Sequence, residues 1–504
     1  MISNAVSLER IAKTVGYKIT KGNFAEVTPN LPQRVALIGE ANTANQSGLD
    51  TTPKEITSAQ QAGELYGYGS PIYTAMRILR PNSGTGIGGI PVIVYPQAVA
   101  GGAVAAVREL TPVGTATANG THTVVINGRG SVDGGRYDFV VATGDAPAAI
   151  AAKIITVVNN VLGTPVIATS GTGKVVLTAK WAGLTSEDLD ITVETNDLDL
   201  GVTYAVASTA TGVGTPAVTA SLNLFAENWN TIVLNTYGSP VFAELEAYNG
   251  IADPNTPTGR YAGIIMKPFI AIYGDTSDDP SVLTDSRKAE MTNAVAPAPL
   301  SKGFPLEAAA NMTLLFARTM QDGPHRDVNG LSYPDMPIPS DENIGSMVDY
   351  NFRDSIVQKG SSTVVLSGSR YKVQDFVTTY HPIGEVPPQF RYCRNIMLDL
   401  NVRFTYYLLE QINVVDKTIA DDDDVVSVGD TIKPKQWKQI VDKMLADLGK
   451  RALIADVPFA QDSIEVGLST TNPDRLETFF KYKRTGIARI SSTTAQAGFN
   501  FGTI

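Results

Sequence analysis

The stretch Gln33-Arg34-Val35-Ala36-Leu37-Ile38-Gly39 decides the fold class. Val35 to Ile38 is an unbroken apolar run, approached through Pro32 and closed by Gly39. A run that is short and apolar at successive positions predicts a strand buried on both faces. Ser58 then stands where a helix N-cap is expected, with the helix running to Leu65. Ser70 and Pro71 open a second helix, with Pro71 at the tolerated first position. Its apolar stripe is Ala75, Met76, Ile78 and Leu79. Ile90-Pro91-Val92-Ile93-Val94-Tyr95 is the next buried strand. Strand, helix, helix, strand begins an α/β layer. The expected core is therefore α/β, a mixed sheet with flanking helices.

Composition shifts near Val107. Residues 106–215 are threonine-rich and free of methionine, with short alternating runs at 121–127, 136–143, 174–181, 188–196 and 203–209. Asn127-Gly128 and Asp133-Gly134 are turn signals. One helix, Ala146 to Val161, carries Ile150, Ile154, Ile155, Val157 and Val158. Thr231 to Asn235 returns to the buried-strand style of 35–39, so 106–215 reads as a β-rich (α+β) domain inserted into the core.

Further on, Tyr261–Met266 and Phe269–Tyr273 are expected strands. Helices are expected at 306–320, 351–358, 391–414 and 434–448, with a strand at 362–366. Residues 475–490 read as one long strand, with Leu476, Thr478, Phe480 and Tyr482 on one face. Glu477, Phe479, Lys481 and Lys483 fall on the other. The expected organisation is an N-terminal arm (1–34), the core's first part (35–105), the insertion (106–215), the core's continuation with a helical C-terminal part (216–470), and a C-terminal arm (471–504).

The chain has 504 residues, enough for about three domains of roughly 150 residues. At 43% hydrophobic and 18% charged, it is neither disordered nor fibrous. One cysteine, Cys393, excludes an internal disulfide framework. A net charge of −10 argues against a general nucleic-acid binder. Glu9 and Arg10 arrive before any long apolar run, so no secretory leader is expected. The longest apolar stretch, Ala98 to Val107, is Gly-broken and about half the roughly twenty residues of a membrane helix.

Several chemical motifs fail on context. Gly84-Thr85-Gly86-Ile87-Gly88-Gly89 matches a dinucleotide fingerprint, but precedes a strand where the fingerprint must follow one. Ser170-Gly171-Thr172-Gly173-Lys174 lacks the first Gly of a P-loop and reads as a hairpin turn. His122, His325 and His381 lie far apart without ligand spacing, so no metal site is expected. Cys393 opens an apolar helix pattern and reads as a buried structural thiol. Asp421 to Asp424 lacks the spaced ligands of a calcium loop and reads as a solvated loop or a contact for a basic partner. No nucleophile, base and orienting group assemble from local motifs.

Four segments, in order, resemble the sheath protein of contractile phage tails, in its Mu-like group. They are Gln33–Gly39; Ile56-Thr57-Ser58-Ala59-Gln60-Gln61-Ala62 with Leu65-Tyr66-Gly67-Tyr68-Gly69-Ser70-Pro71; Trp229-Asn230-Thr231-Ile232-Val233; and Asn472-Pro473-Asp474-Arg475-Leu476. The resemblance spans nearly the whole chain. The chain departs from simple sheaths in carrying the 106–215 domain. It also lacks the Gly-Thr-Ser-Met-Ala and His-Gly-Thr segments that a subtilisin-like protease needs. The resemblance implies a non-enzymatic subunit without cofactor. Such subunits stack as six-fold rings around a tail tube and contract to drive it through a host envelope. Its implied partners are itself, the tail tube protein, and the baseplate and tail terminator proteins, with no direct nucleic acid and no membrane insertion. Its implied place is the virion tail, assembled in the bacterial cytoplasm. Terminal arms are implied to add strands to neighbours' sheets.

Charge independently suggests arms. Residues 1–34 carry a net +3 and residues 475–504 a net +4, which leaves −17 on the body. Basic ends on an acidic body suit docking between copies. The expected inter-subunit contacts are Arg10, Lys13, Lys18 and Lys21, and Leu476, Glu477, Thr478, Phe479, Phe480, Lys481, Tyr482 and Lys483. Gly16, Gly22 and Gly486 are expected arm hinges, and Lys435, Lys438 and Lys443 form a possible tube-facing helix surface. Three alternatives stay open: an α/β hydrolase-like enzyme with an inserted β domain, a capsid- or adhesin-like structural protein, and a sheath from a phage-derived bacteriocin or injection system.

Overall fold

In the computed structural model, which describes residues 29–499 apart from 83, 85, 131–134, 263–265 and 340–343, the opening run is strand β1 (Val35–Glu40). It is buried at every position. After β2 (Lys54–Glu55) come α1 (Ala59–Tyr66), α2 (Pro71–Leu79) and β3 (Val92–Gln97). Both expected caps form. Ser58 Oγ accepts from the Gln61 amide and Ser70 Oγ from the Tyr73 amide, each at 3.1 Å.

The chain then leaves this sheet for β4 (Val107–Val113), β5 (Gly120–Ile126), β6 (Arg136–Val141), α3 (Pro147–Asn159), β7 (Val166–Ser170), β8 (Val175–Ala179), β9 (Ile191–Glu194) and β10 (Thr203–Ala210). These strands make two antiparallel sheets of their own, ordered β10-β4-β8-β7 and β6-β5-β9. Strands β4 and β7 escape the sequence reading. The P-loop-like stretch Ser170–Lys174 is the β7–β8 hairpin connection, as expected.

Next come α4 (Thr219–Asn223), β11 (Ile232–Asn235), α5 (Phe242–Asn249), β12 (Ile270–Asp275), α6 (Ser281–Thr284), β13 (Asn293–Pro297) and α7 (Pro305–Asp322). The main sheet runs β13-β12-β11-β1-β3-β2, parallel except for β2. Alternation assigns its two faces. Val35, Leu37, Val92, Val94, Ile232 and Leu234 join the core that includes α2 and α7. Ala36, Ile38, Ile93, Tyr95 and Val233 pack with Leu222, Phe225 and Leu245 on the opposite side. The expected strand at 261–266 is corrected over its described part. Gly259–Tyr261 is a 3₁₀ turn. The Arg260 guanidinium ties its surroundings by donating to the carbonyls of Lys267, Ala226 and Asn228, each at 2.7 Å. A buried arginine here takes the place of a ladder.

The last third holds α8 (Tyr350–Gln358), β14 (Thr363–Leu366), β15 (Tyr371–Asp375), α9 (Cys393–Asn413), β16 (Thr418–Ile419), β17 (Thr431–Ile432), α10 (Pro434–Lys450), β18 (Ile454–Ala455), α11 (Val457–Asp462), β19 (Glu465–Leu468), β20 (Leu476–Phe479) and β21 (Lys483–Arg484). Helix α9 bridges two cores. Cys393, Ile396, Met397 and Leu400 belong to the main one. Leu398 and Val402 pack with Trp437, Val441, Leu445 and Leu448. The long strand expected at 475–490 is corrected to two short ones: β20 pairs with β19 and β21 with β18. The chain changes partner between them, so no continuous ladder exists.

Candidate assembly site

Open α/β sheets bind ligands outside the strands' carboxyl ends, where strand order reverses. Here that point lies between β1 and β11, and a 3₁₀ turn at Leu184–Asp188 sits in it. Glu40, the last residue of β1, is 2% exposed. Its carboxylate oxygen accepts from Thr185 Oγ1 at 3.2 Å, and Thr185 in turn accepts from Trp181 Nε1 at 2.9 Å. Burial pushes the Glu40 carboxyl up to about 8. A crevice of about 290 Å³ remains, lined by Thr185, Glu187, Asp188, Tyr237, Tyr273 and Asp275 among others. The segment between β3 and β11 thus plugs the place where an α/β enzyme keeps its ligand.

The residues weighed for chemistry have structural settings. Cys393 is buried, and burial pushes its thiol well up. His122 is buried against Tyr204, with Nδ1 2.7 Å from the phenol oxygen. His381 Nε2 lies 3.2 Å from Asp285. Among the described residues no cluster of His, Cys, Asp and Glu could hold a metal ion, and no helix is long and apolar enough to cross a membrane.

Polar clamps hold the segment between β3 and β11 to the rest of the chain. Arg129 pairs with the buried Glu307 of α7 and with Asp335 at 3.0 Å. Asn127 Nδ2 donates to the Lys302 carbonyl at 3.1 Å. Lys180 Nζ donates to the carbonyls of Tyr68 (3.2 Å) and Leu162 (3.1 Å). Gly69, at φ +82°, meets the Thr164 carbonyl so closely that any Cβ would collide with it. These contacts lie far apart in sequence, and no local pattern signals them.

The tail keeps its expected two faces. Leu476, Thr478, Phe480 and Tyr482 are half-buried, while Glu477, Phe479, Lys481 and Lys483 are exposed. In the single chain, however, the inner face packs on this chain's own body. Thr478 Oγ1 accepts from Trp437 Nε1 at 3.0 Å, Phe480 packs 5.7 Å from the Tyr406 ring, and Tyr482 OH donates to Asp399 at 2.9 Å. The tail's cations are paired the same way: Arg475 with Glu477, Lys483 with Asp456, Arg484 with Asp399, Arg489 with Asp327 and Asp375. Lys481 stands over the Phe479 ring. Within the single chain, groups complementary to 476–483 and their positive charge lie on the chain's own body.

Gly486 is bracketed by fixed points. Thr485 Oγ1 donates to Ala452 O at 2.6 Å, its carbonyl accepts from Arg394 at 2.7 Å, and Arg489 follows. Beyond Arg489, residues 490–499 have no regular structure and are exposed throughout. The other end is rooted nearby: the Leu31 amide donates to Asn401 Oδ1 at 2.9 Å, and Asn30 accepts from Arg451. Arg10, Lys13, Gly16, Lys18, Lys21 and Gly22 lie outside the described residues.

Two further surfaces complete the site. Neither outer edge of the β19–β20 hairpin has a strand partner among the described residues. On α10, Lys435, Lys438 and Lys443 are exposed. The acidic run is folded onto the start of α10. Asp422 Oδ1 accepts from the Lys435 amide at 2.9 Å, and Lys433 Nζ donates to the Asp422 and Asp424 carbonyls.

No protein-family model matches the chain. It is 22% identical over 457 residues to the Mu-like prophage FluMu tail sheath protein of Haemophilus influenzae, covering 89% of each chain. Among solved structures it is similar to the sheath tail protein of Desulfitobacterium hafniense, with TM-score 0.44, 12% identity, and coverage of 94% of this chain and all (100%) of that one. It is also similar to a chain of the anti-feeding prophage baseplate (TM-score 0.46, 11% identity, 97% and 100% covered). A third is from that prophage's helical sheath in the contracted state (TM-score 0.41, 11% identity, 98% and 100% covered). The resemblance to Mu-like tail sheaths read from four short segments is met by a curated sheath protein along most of both chains.

Proposed function

We propose that this chain, similar to a Mu-like tail sheath protein over most of its length, is the structural, non-catalytic subunit of a contractile tail sheath. Copies stack as six-fold rings around a tail tube and contract to drive the tube through a host cell envelope during genome delivery. The observation that carries this reading is the 457-residue alignment, which spans both halves of the core and the segment between them. The plugged crevice supports it, since the sheet's usual ligand position is taken by protein.

The arms in this reading are residues 1–34 and 471–504, with Arg10, Lys13, Lys18, Lys21 and the 476–483 strand as contacts and Gly16, Gly22 and Gly486 as bends. Their targets include open strand edges such as those of the β19–β20 hairpin. Lys435, Lys438 and Lys443 face the tube, and the sheath's ends meet baseplate and terminator proteins. Assembly takes place in the bacterial cytoplasm. Head-to-tail contacts that do not close give stacked or helical arrays. The extended array persists as a kinetically trapped state, and contraction moves whole bodies while the arms bend. Negative-stain microscopy of the purified full chain tests this. Wide hollow cylinders are expected; monodisperse monomers under all assembly conditions overturn the reading.

A further inference from the structure

The crevice that the inserted segment plugs has an unusual electrostatic character. Glu40 is almost wholly buried and its carboxyl has one recorded donor, Thr185 Oγ1. Gly183 lies against it so closely that a Cβ there would stand 2.9 Å from the carboxylate oxygen. The side chains that line the crevice beside this turn are neutral or acidic. The 3₁₀ turn brings Thr185, Glu187 and Asp188; the segment after β11 brings Thr236 and the buried phenol of Tyr237; the end of β12 brings Asp275. From β3, Gln97 is the register partner of Glu40, and its amide is spent on the Tyr95 carbonyl and Ser221. Two cations of the inserted segment are committed elsewhere: Arg108 to Glu187 at 3.0 Å, and Lys180 to two carbonyls.

We propose that Glu40 is a protonation-controlled latch between the six-stranded sheet and the inserted segment: its neutral carboxyl seats residues 183–188, and loss of its proton to solvent water unseats them. A carboxylate in this position has the Thr185 hydroxyl to offset its lost hydration and, among the described residues, no paired cation. Seating matters beyond the plug itself. The Gly183 amide donates to Val104 O at 3.1 Å and the Leu184 amide to Gly214 O at 2.7 Å. Val104 and Val213 form the bridge that closes the neck through which the chain leaves and rejoins the core. The latch therefore governs how firmly the neck of the inserted segment is zipped.

The sign follows from linkage. Seated, the Glu40 carboxyl holds its proton to about pH 8; unseated and solvated, it behaves as an ordinary glutamate near 4.5. Opening between those values releases a proton. The opening constant then rises about tenfold per pH unit from pH 6 and levels off near pH 8. Hydrogen–deuterium exchange on the full native chain, corrected for intrinsic base catalysis, reads this at the amides of Gly183, Leu184 and Ser186. E40Q keeps shape and neutrality; because burial also pushes the Asp188 carboxyl of the same turn up to about 7, the comparison is made in a D188N background, where E40Q is expected to stay flat over the same range. T185V removes the donor that favours the charged form and moves the levelling point to higher pH. If E40Q follows the D188N profile, or the native profile is itself flat to pH 9, the latch does not exist. This outcome is independent of whether the chain forms cylinders.

Discussion

Arg129 and Glu307 are separated by 178 positions and meet inside the molecule. Their side chains are 6% and 1% exposed. Glu307 Oε2 also accepts from the Phe304 amide at 3.1 Å, and Arg77 stands 3.7 Å away. Removing one member of such a network leaves a buried charge short of its partner. R129M is therefore expected to cost about 3 kcal/mol, read as a lower denaturant midpoint. The double variant R129M/E307Q should recover a large part of that loss, because the stranded charge is gone. A single-variant loss that the double variant does not relieve would assign the effect to packing instead. At this scale the sequence was readable where partners are local. Ser58 was legible as a cap, and Ser70-Pro71 as a helix start, because each serine bonds an amide three residues on. Arg129 carried no such signal.

For the tail elements, period two was legible and the partner was not. Leu476, Thr478, Phe480 and Tyr482 share a face in the sequence and in the structure. Alternation specifies that one face is covered; it does not say by which chain, or that the ladder changes partner between β20 and β21. Two truncations separate the docked part from the exposed part. Loss of residues 490–504 should leave thermal stability within about 0.5 kcal/mol, since 490–499 are exposed and carry no regular structure. Loss of 475–504 strips Leu476, Phe480 and Tyr482 from α9 and α10, at roughly 1 kcal/mol or more each. It also frees Asp399 of its Arg484 partner. The shorter chain is expected to melt lower and to be cleaved readily between α10 and β19 in limited proteolysis. In the proposed sheath, the 490–504 truncation should keep its fold and lose cylinder formation.

Across the whole molecule, net charge bears on assembly in a way that the tail contacts reverse. The chain is −10 overall, and the tail's arginines are neutralised by its own aspartates. Copies approaching one another are then like-charged bodies, whose repulsion salt screens. Assembly followed by light scattering is expected to speed up severalfold between about 20 mM and about 200 mM salt. A slowing over that range would show that attraction of the basic arms to acidic bodies outweighs the repulsion between bodies. The mixed α/β character was legible because buried parallel strands and alternating ones differ in composition. The strand order was not.

The sequence by itself determined most of the element types, the Ser58 cap, the two faces of the tail and the family resemblance. These rest on spacing within a few residues, which backbone geometry converts directly into faces and hydrogen bonds. Only the tertiary structure decided what covers those faces. It seated Leu184–Asp188 over Glu40, joined Arg129 to Glu307, and laid the tail on its own chain. Such contacts depend on where distant segments meet in space, and burial and electrostatics act on distance in space rather than on distance along the chain.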